Sequence, residues 1–478
     1  MKKKSDKENF HREKNISAPL FEAVRDYADG KSRRFHMPGH KGRNIYQLDV
    51  LSGIFNLDVT EIAGLDDYHS PHGVIAEAQA QAAALMGASR ARFLVNGSGG
   101  GIMAAVMSCC GAGDKIIIPR NAHRSVWSAL VLSGARPVYA ESVINLRFGI
   151  AEGVPLSSYQ AAIEAHPEAR AVLAVHPTAH GFCGDLRGLS ALCREHGMTL
   201  IADEAHGAHF RFSKDFPETA LDCGADVTVQ SWHKTMGSLT QSSMLLLGAK
   251  YADYYSIDEI ISLTTSTSPS YILMSSLDIC RAHWQANGES LANNALELSA
   301  LARRRLKAVC GITVLDNSDP TRLVLANDWG VSGYRFAEEL SEYKIIPEMA
   351  EERTVTLILT AFDTTADIEV LLNACEKIAV GREPFCAGIT VPDLPLPEIV
   401  LAPRETLGRD REIVQLEKSV GRIAGEQIIP YPPGIPLIYT GERISGEVIA
   451  HIKRITAAGG RLQRHAPLAN DEIYVLNE

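Results

Sequence analysis

No uninterrupted apolar run of about 18 residues occurs in this chain of 478 residues, so no membrane-spanning helix is predicted. The basic opening, Met1-Lys-Lys-Lys-Ser-Asp-Lys-Glu-Asn-Phe10, leads into no apolar stretch. That excludes a secretory signal there and predicts a short solvated tail. The nine cysteines are odd in number, scattered, and never spaced Cys-x-x-Cys. Neither a disulfide framework nor a zinc or other metal site is expected, and a reduced, cytoplasmic setting fits. Positive charge is also short: 47 Lys and Arg against 57 Asp and Glu leave a net charge of −10. That balance argues against nucleic acid as the main partner.

What is present is an ordinary globular composition, 46% apolar and 22% charged, over a length that implies two or three domains. Residues 1–73 read as an N-terminal arm, with an amphipathic helix over 16–30 and turn-rich polar stretches at 35–42 and 65–73. From 74 to 310 short apolar runs alternate with helical patterns, among them Arg92–Val95, Lys115–Pro119, Pro137–Ala140, Ala171–Val175, Thr199–Ala202, Asp226–Gln230 and Ser242–Gly248. This order predicts an α/β domain on a mostly parallel sheet covered on both faces. Shorter units at 311–388 read as a smaller α+β domain. Four prolines mark 389–403 as a linker, and 404–478 reads as a last module.

Two strands end in ionisable residues. Thr199–Ala202 runs into Asp203-Glu-Ala-His206, and Asp226–Gln230 into Ser231-Trp-His-Lys-Thr235. Ligands of open α/β sheets bind at that carboxyl edge. A lone lysine is usually solvated, but a strand leading into Lys234, with Ser231 and His233 beside it, suits a desolvated nucleophilic amine. Asp203 taken alone is most simply a helix cap, with a metal ligand or a partner for a protonated heterocyclic nitrogen as the alternatives. The turn Asn96-Gly-Ser-Gly-Gly-Gly101 is by itself most simply structural; its place after the first strand of the α/β region and before a helix, Ile102–Ser108, whose free N–H groups and dipole suit an anion, points towards a phosphate. His123, just past Lys115–Pro119, is by itself a surface or capping residue; at a sheet edge it can stack on a flat ring. Arg120 and Arg124 beside it are candidates for phosphate or carboxylate partners. Phosphate cradle, acid and lysine together are what pyridoxal phosphate requires.

These stretches resemble the bacterial ornithine/lysine/arginine decarboxylases, fold-type-I pyridoxal-phosphate enzymes, over nearly the whole chain. The most specific are Phe35-His-Met-Pro-Gly-His-Lys41, Asp203-Glu-Ala-His-Gly-Ala-His209, Ser231-Trp-His-Lys-Thr235, Ser266-Thr-Ser-Pro269 and Tyr431-Pro-Pro-Gly-Ile-Pro436. The length is similar to the short form that lacks an N-terminal wing domain.

The resemblance implies that Lys234 carries the cofactor and that Asp203 pairs with its ring nitrogen. It further implies that His123 and Ala205 pack on the two ring faces. Ser98, Gly99 and Gly100 would hold the phosphate, helped by Ser231 and His233, with Ser266 or Thr267 reaching the phosphate of a neighbouring subunit in a homodimer or larger homo-oligomer. His206 would lie near the cofactor's phenolic oxygen or the substrate carboxylate. The implied reaction is decarboxylation of arginine or lysine, or of ornithine, as in polyamine metabolism. Glu442 is a candidate for the far end of the substrate, an exposed turn glutamate being the plainer reading.

The chain departs from the family pattern at the glycine turn, where a second hydroxyl residue is common, at Ala179 in place of an aromatic, and at Thr440 in place of a proline. An aminotransferase, aldolase or desulfurase shares the lysine, aspartate and phosphate turn. A non-catalytic regulator would be expected to have lost one of them.

Overall fold

The computed structural model describes residues 17–30, 32–385, 391, 394–431, 434–464, 468–469 and 471–477. The basic opening, Cys386, part of the 389–403 linker and the pair Pro432-Pro433 lie outside the described residues.

The largest sheet has seven strands: β1 (Arg90–Leu94), β2 (Lys115–Pro119), β3 (Arg136–Ala140), β4 (Ala171–Val175), β5 (Thr199–Asp203), β6 (Val227–Gln230) and β7 (Ser243–Leu247). Their order is β1-β7-β6-β5-β4-β2-β3. The sheet is mostly parallel, with β2 parallel to β3 and β4, while β7 runs antiparallel to both β1 and β6. β5, β6 and β7 are buried along their whole length, which is why they read as continuous apolar runs rather than alternating ones. Among the described residues no helix is long and apolar enough to cross a membrane.

Two compact units are present, neither continuous in sequence. The first takes the chain up to Ser108, Ala202–Lys214 and Glu218–Ala292; the second takes Cys109–Ile201, Asp215–Pro217 and Asn293–Glu478. The second unit contains a four-stranded antiparallel sheet, Ile312–Val314, Arg322–Asn327, Thr354–Ile358 and Met349–Ala350, backed by helices Gly333–Glu342 and Thr365–Ala379. It also contains a module in which Arg411–Gln415 pairs with Glu472–Leu476 and helix Gly446–Ala457 buries Val448, Ile449 and Ile452 against Ile428, Ile438 and Val475.

In the first unit, helix Gly97–Cys109 begins inside the glycine turn rather than after it at Ile102. Gly97 takes φ +70°, which favours glycine, and a Cβ on Gly101 would come within 2.7 Å of Leu94 and Val229 side chains. The glycines therefore let the helix lie close on the sheet. A poor helix-forming composition hid its first turn.

The N-terminal helix, Pro19–Asp29, has no side-chain cap of its own. Its cap is supplied by Asp278 on the long helix Tyr271–Leu306, whose Oδ2 accepts from the N–H groups of Leu20 at 2.9 Å and Phe21 at 3.3 Å. Oδ1 of Asp278 accepts from Arg281 Nη2 at 2.7 Å, and both side chains are wholly buried. Removing one member of a buried pair leaves the other charge uncompensated. Asp278→Ala is expected to lower the unfolding free energy by about 3–5 kcal/mol, measured by denaturant titration. A loss under about 1 kcal/mol would show that the pair is not holding the helix.

Candidate active site

The carboxyl ends of β5 and β6 carry a group of buried polar side chains, Asp203, Glu204, Gln230 and Ser231. Asp203 closes β5, is 6% exposed, and accepts from the N–H of Ala205 at 3.2 Å. Burial raises its pKa, and the positive charge of Lys234 pulls it back down. Glu204 is fully buried and accepts from the Ala220 N–H at 2.7 Å and from the Gln230 amide at 2.6 Å. Gln230 in turn accepts from the Trp232 indole at 2.9 Å. This chain of bonds ties the end of β6, and the short helix Trp232–Thr235 that follows it, to the residue after Asp203.

That helix presents Lys234, whose Nζ lies 3.0 Å from His206 Nε2. Ser231, fully buried, donates from Oγ to Ser98 Oγ at 2.7 Å. Ser98 and Gly99 stand in the first turn of helix Gly97–Cys109, and among the described residues no acceptor bonds their N–H groups. An orphaned first turn with two hydroxyls beside it is an anion cradle. Gly100 is buried in the same turn. The His233 ring N–H meets the Ser242 carbonyl at 2.8 Å, fixing the ring from below the lysine's helix. Ala205 is small and buried, as a residue packing on a ring face must be.

Of the residues predicted from sequence, the structure brings together Lys234 with His206, Lys234 with Asp203 electrostatically, and Ser98 with Ser231. Ser266 and Thr267 are exposed, and Ser266 offers its carbonyl to His69 Nε2 at 3.0 Å. Among the described residues no bond joins either to the Ser98 cradle. The residues present fit pyridoxal phosphate: a cradle for an anion, a buried carboxylate under the influence of a lysine, and an amine within reach of a histidine.

His123 belongs to the second unit. It caps helix Arg124–Ser133, its Nδ1 accepting from the Ser125 N–H at 3.2 Å, and its ring is exposed. A Cβ placed on Gly434 would stand 3.4 Å from that ring, and the Gly434 carbonyl accepts from the Arg124 N–H at 3.3 Å.

Glu442 is not an exposed turn residue. It is fully buried, with Oε1 accepting from the Tyr139 hydroxyl at 2.6 Å and Oε2 from the Tyr439 N–H at 2.7 Å and Arg120 at 3.4 Å. Arg120 also donates to the carbonyls of Pro436 and Leu437, so Arg120 has its carboxylate partner inside the unit. Arg124 bonds Gln463 instead. Sequence reasoning missed the Glu204–Gln230–Trp232 chain altogether; the one signal was a glutamate beside a strand-ending aspartate.

A family model described as "Orn/Lys/Arg decarboxylase, major domain" matches residues 18–329, and "Orn/Lys/Arg decarboxylase, C-terminal domain" matches 394–464. An arginine decarboxylase of Halalkalibacterium halodurans is 35% identical over 462 residues, 92% of this chain and 94% of that protein. Among solved structures, a Francisella novicida lysine decarboxylase superposes with a TM-score of 0.84 at 19% identity, covering 97% of this chain and 82% of its own. A serine palmitoyltransferase from S. paucimobilis with bound PLP superposes with a TM-score of 0.52 at 14% identity, covering 63% and 75%.

Burial pushes Glu204 up to about 8, against the pull of its two hydrogen bonds. A carboxyl group with a raised folded pKa stabilises the fold below its unfolded value, near 4.3, and that contribution is lost as pH rises towards the folded value. The margin in unfolding free energy between the native chain and Glu204→Ala is thus expected to be larger at pH 5 than at pH 8, by up to about 4 kcal/mol. Denaturant melts of both proteins at the two pH values check this, and equal margins would contradict it.

Proposed function

This chain belongs to the Orn/Lys/Arg decarboxylase family, and we propose that it decarboxylates arginine, with lysine as the second candidate. The observation that carries the reading is the Lys234–His206 contact of 3.0 Å beside buried Asp203 and the Ser98–Ser231 pair. Arginine is favoured over lysine because the relative 35% identical over most of both chains is named for it.

Pyridoxal phosphate, when bound, supplies an electron sink for the pair released as the bond from Cα to the carboxylate breaks. Lys234 would hold it covalently, and Asp203 would pair with its protonated ring nitrogen. Ser98, Gly99, Gly100, Ser231 and His233 would hold its phosphate. Ala205 would pack on its ring. His206 takes or gives a proton at Nζ of Lys234, and Lys234 or His206 returns one to Cα once carbon dioxide has left. The net change is one carboxylate lost as carbon dioxide and one proton gained at carbon.

A homodimer with shared sites is part of the same proposal. Phe35, Met37, Tyr46 and Val50 are exposed apolar side chains in one N-terminal segment, which suits burial against a second copy. The exposed Ser266 and Thr267 are then free to serve the partner's phosphate. A cytoplasmic location fits the eight described cysteines, all of them free thiols.

Purified holoenzyme is expected to absorb in the visible range, borohydride abolishing the band, and to release carbon dioxide and amine from arginine faster than from lysine or ornithine. Lys234→Ala should lose at least about 10³-fold in kcat, the scale of losing a nucleophile and its proton chemistry together. Near-native turnover by that variant, or transfer of the amino group to a keto acid without carbon dioxide release, would sink the assignment.

A further inference from the structure

The amine of Lys234 is carried by a helix of a single turn, Trp232–Thr235. A turn that short has almost no stability of its own, because nucleating a helix fixes several residues for one hydrogen bond. Its position is therefore set from outside. At its far end the Met236 carbonyl accepts from the Trp284 indole at 2.8 Å and from the Cys280 thiol at 3.3 Å, both on the long helix Tyr271–Leu306. At its near end the tie is Trp232, wholly buried, whose indole donates to Gln230 at 2.9 Å.

The direction of the bonds behind Trp232 restricts what can stand at position 204. An indole N–H can only donate, so Gln230 turns its amide oxygen to Trp232 and its NH2 group to Glu204. The Ala220 N–H, also a pure donor, arrives at the other carboxyl oxygen at 2.7 Å. Position 204 thus has to accept on two sides at once. A glutamine offers one oxygen and one NH2 group, and an aspartate is one methylene short of the reach. Glu204 is wholly buried, so water does not replace a bond that is broken there. Its own N–H donates to the Val229 carbonyl at 2.9 Å, which sets the end of β5 beside the end of β6. Asp203 closes the first of these strands and Lys234 follows the second. With both carboxyl oxygens engaged, the influence of Glu204 on the lysine runs through Gln230 and Trp232.

We propose that Glu204 is a positioning residue for Lys234, fixing through Gln230 and Trp232 where the one-turn helix holds the amine against the bound cofactor. The proposal rests on the assignment of Lys234 as the residue that carries pyridoxal phosphate. An amine displaced by a fraction of an ångström leaves substrate binding intact and is badly placed for proton transfer, so the loss falls on kcat rather than on KM.

Holoenzymes of the native chain, Glu204→Gln, Trp232→Phe and the double variant test this, each assayed below its melting temperature. Trp232→Phe removes the indole donor and keeps an aromatic ring in place. Each single variant is expected to lose about tenfold in kcat with KM within about twofold. Each should also move the pH midpoint of the visible absorption band by at least about 0.5 unit. The double variant should lose little more than the larger of the two single losses, since both cut one chain of bonds. If Glu204→Gln does not fold, Gln230→Met cuts the chain at its middle and carries the same expectations. Variants that melt earlier yet keep the native kcat and band midpoint would make Glu204 purely structural and overturn the proposal. Losses that multiply in the double variant would overturn it too. A native chain with no visible band would instead refute the cofactor assignment on which the proposal stands.

Discussion

The site depends on the cost of taking carboxylates out of water at the ends of two strands. Asp203 and Glu204 are neighbours in sequence and are both buried, yet they are compensated differently. Asp203 is met by a positive charge, Lys234, and Glu204 by neutral donors, the Ala220 N–H and the Gln230 amide. The neutral bonds leave Glu204 with a pKa pushed up by burial, whereas a positive charge beside Asp203 works against the same cost.

The parts of this arrangement visible in the sequence were those written locally. Strands buried on both faces appear as unbroken apolar runs, so Ala171–Val175 and Thr199–Asp203 could be placed to within a residue. The direction of Ser243–Leu247 could not, since an antiparallel strand buried on both faces has the same composition as a parallel one. Glu442 shows the same limit. Its neighbours in sequence suggest a turn, and its burial is decided by Arg120 and Tyr139, about three hundred residues earlier. Asp278 drew no reading from the sequence, because the N–H groups it caps, those of Leu20 and Phe21, lie 258 and 257 residues earlier. The lysine, the aspartate and the glycine turn were legible because their chemistry demands particular residue types at strand ends. The groups that hold them in place are legible only in three dimensions.

The clamp between Asp278 and the first helix also sets a schedule. Residues Leu20 and Asp278 are 258 positions apart, and a ribosome adding about 5–20 residues per second needs on the order of 13–50 seconds to make the second after the first. During that interval the helix lacks its cap, and an isolated helix of 11 residues is marginal in water. A helix near the start of the chain thus waits for its cap until more than half of the chain has been made.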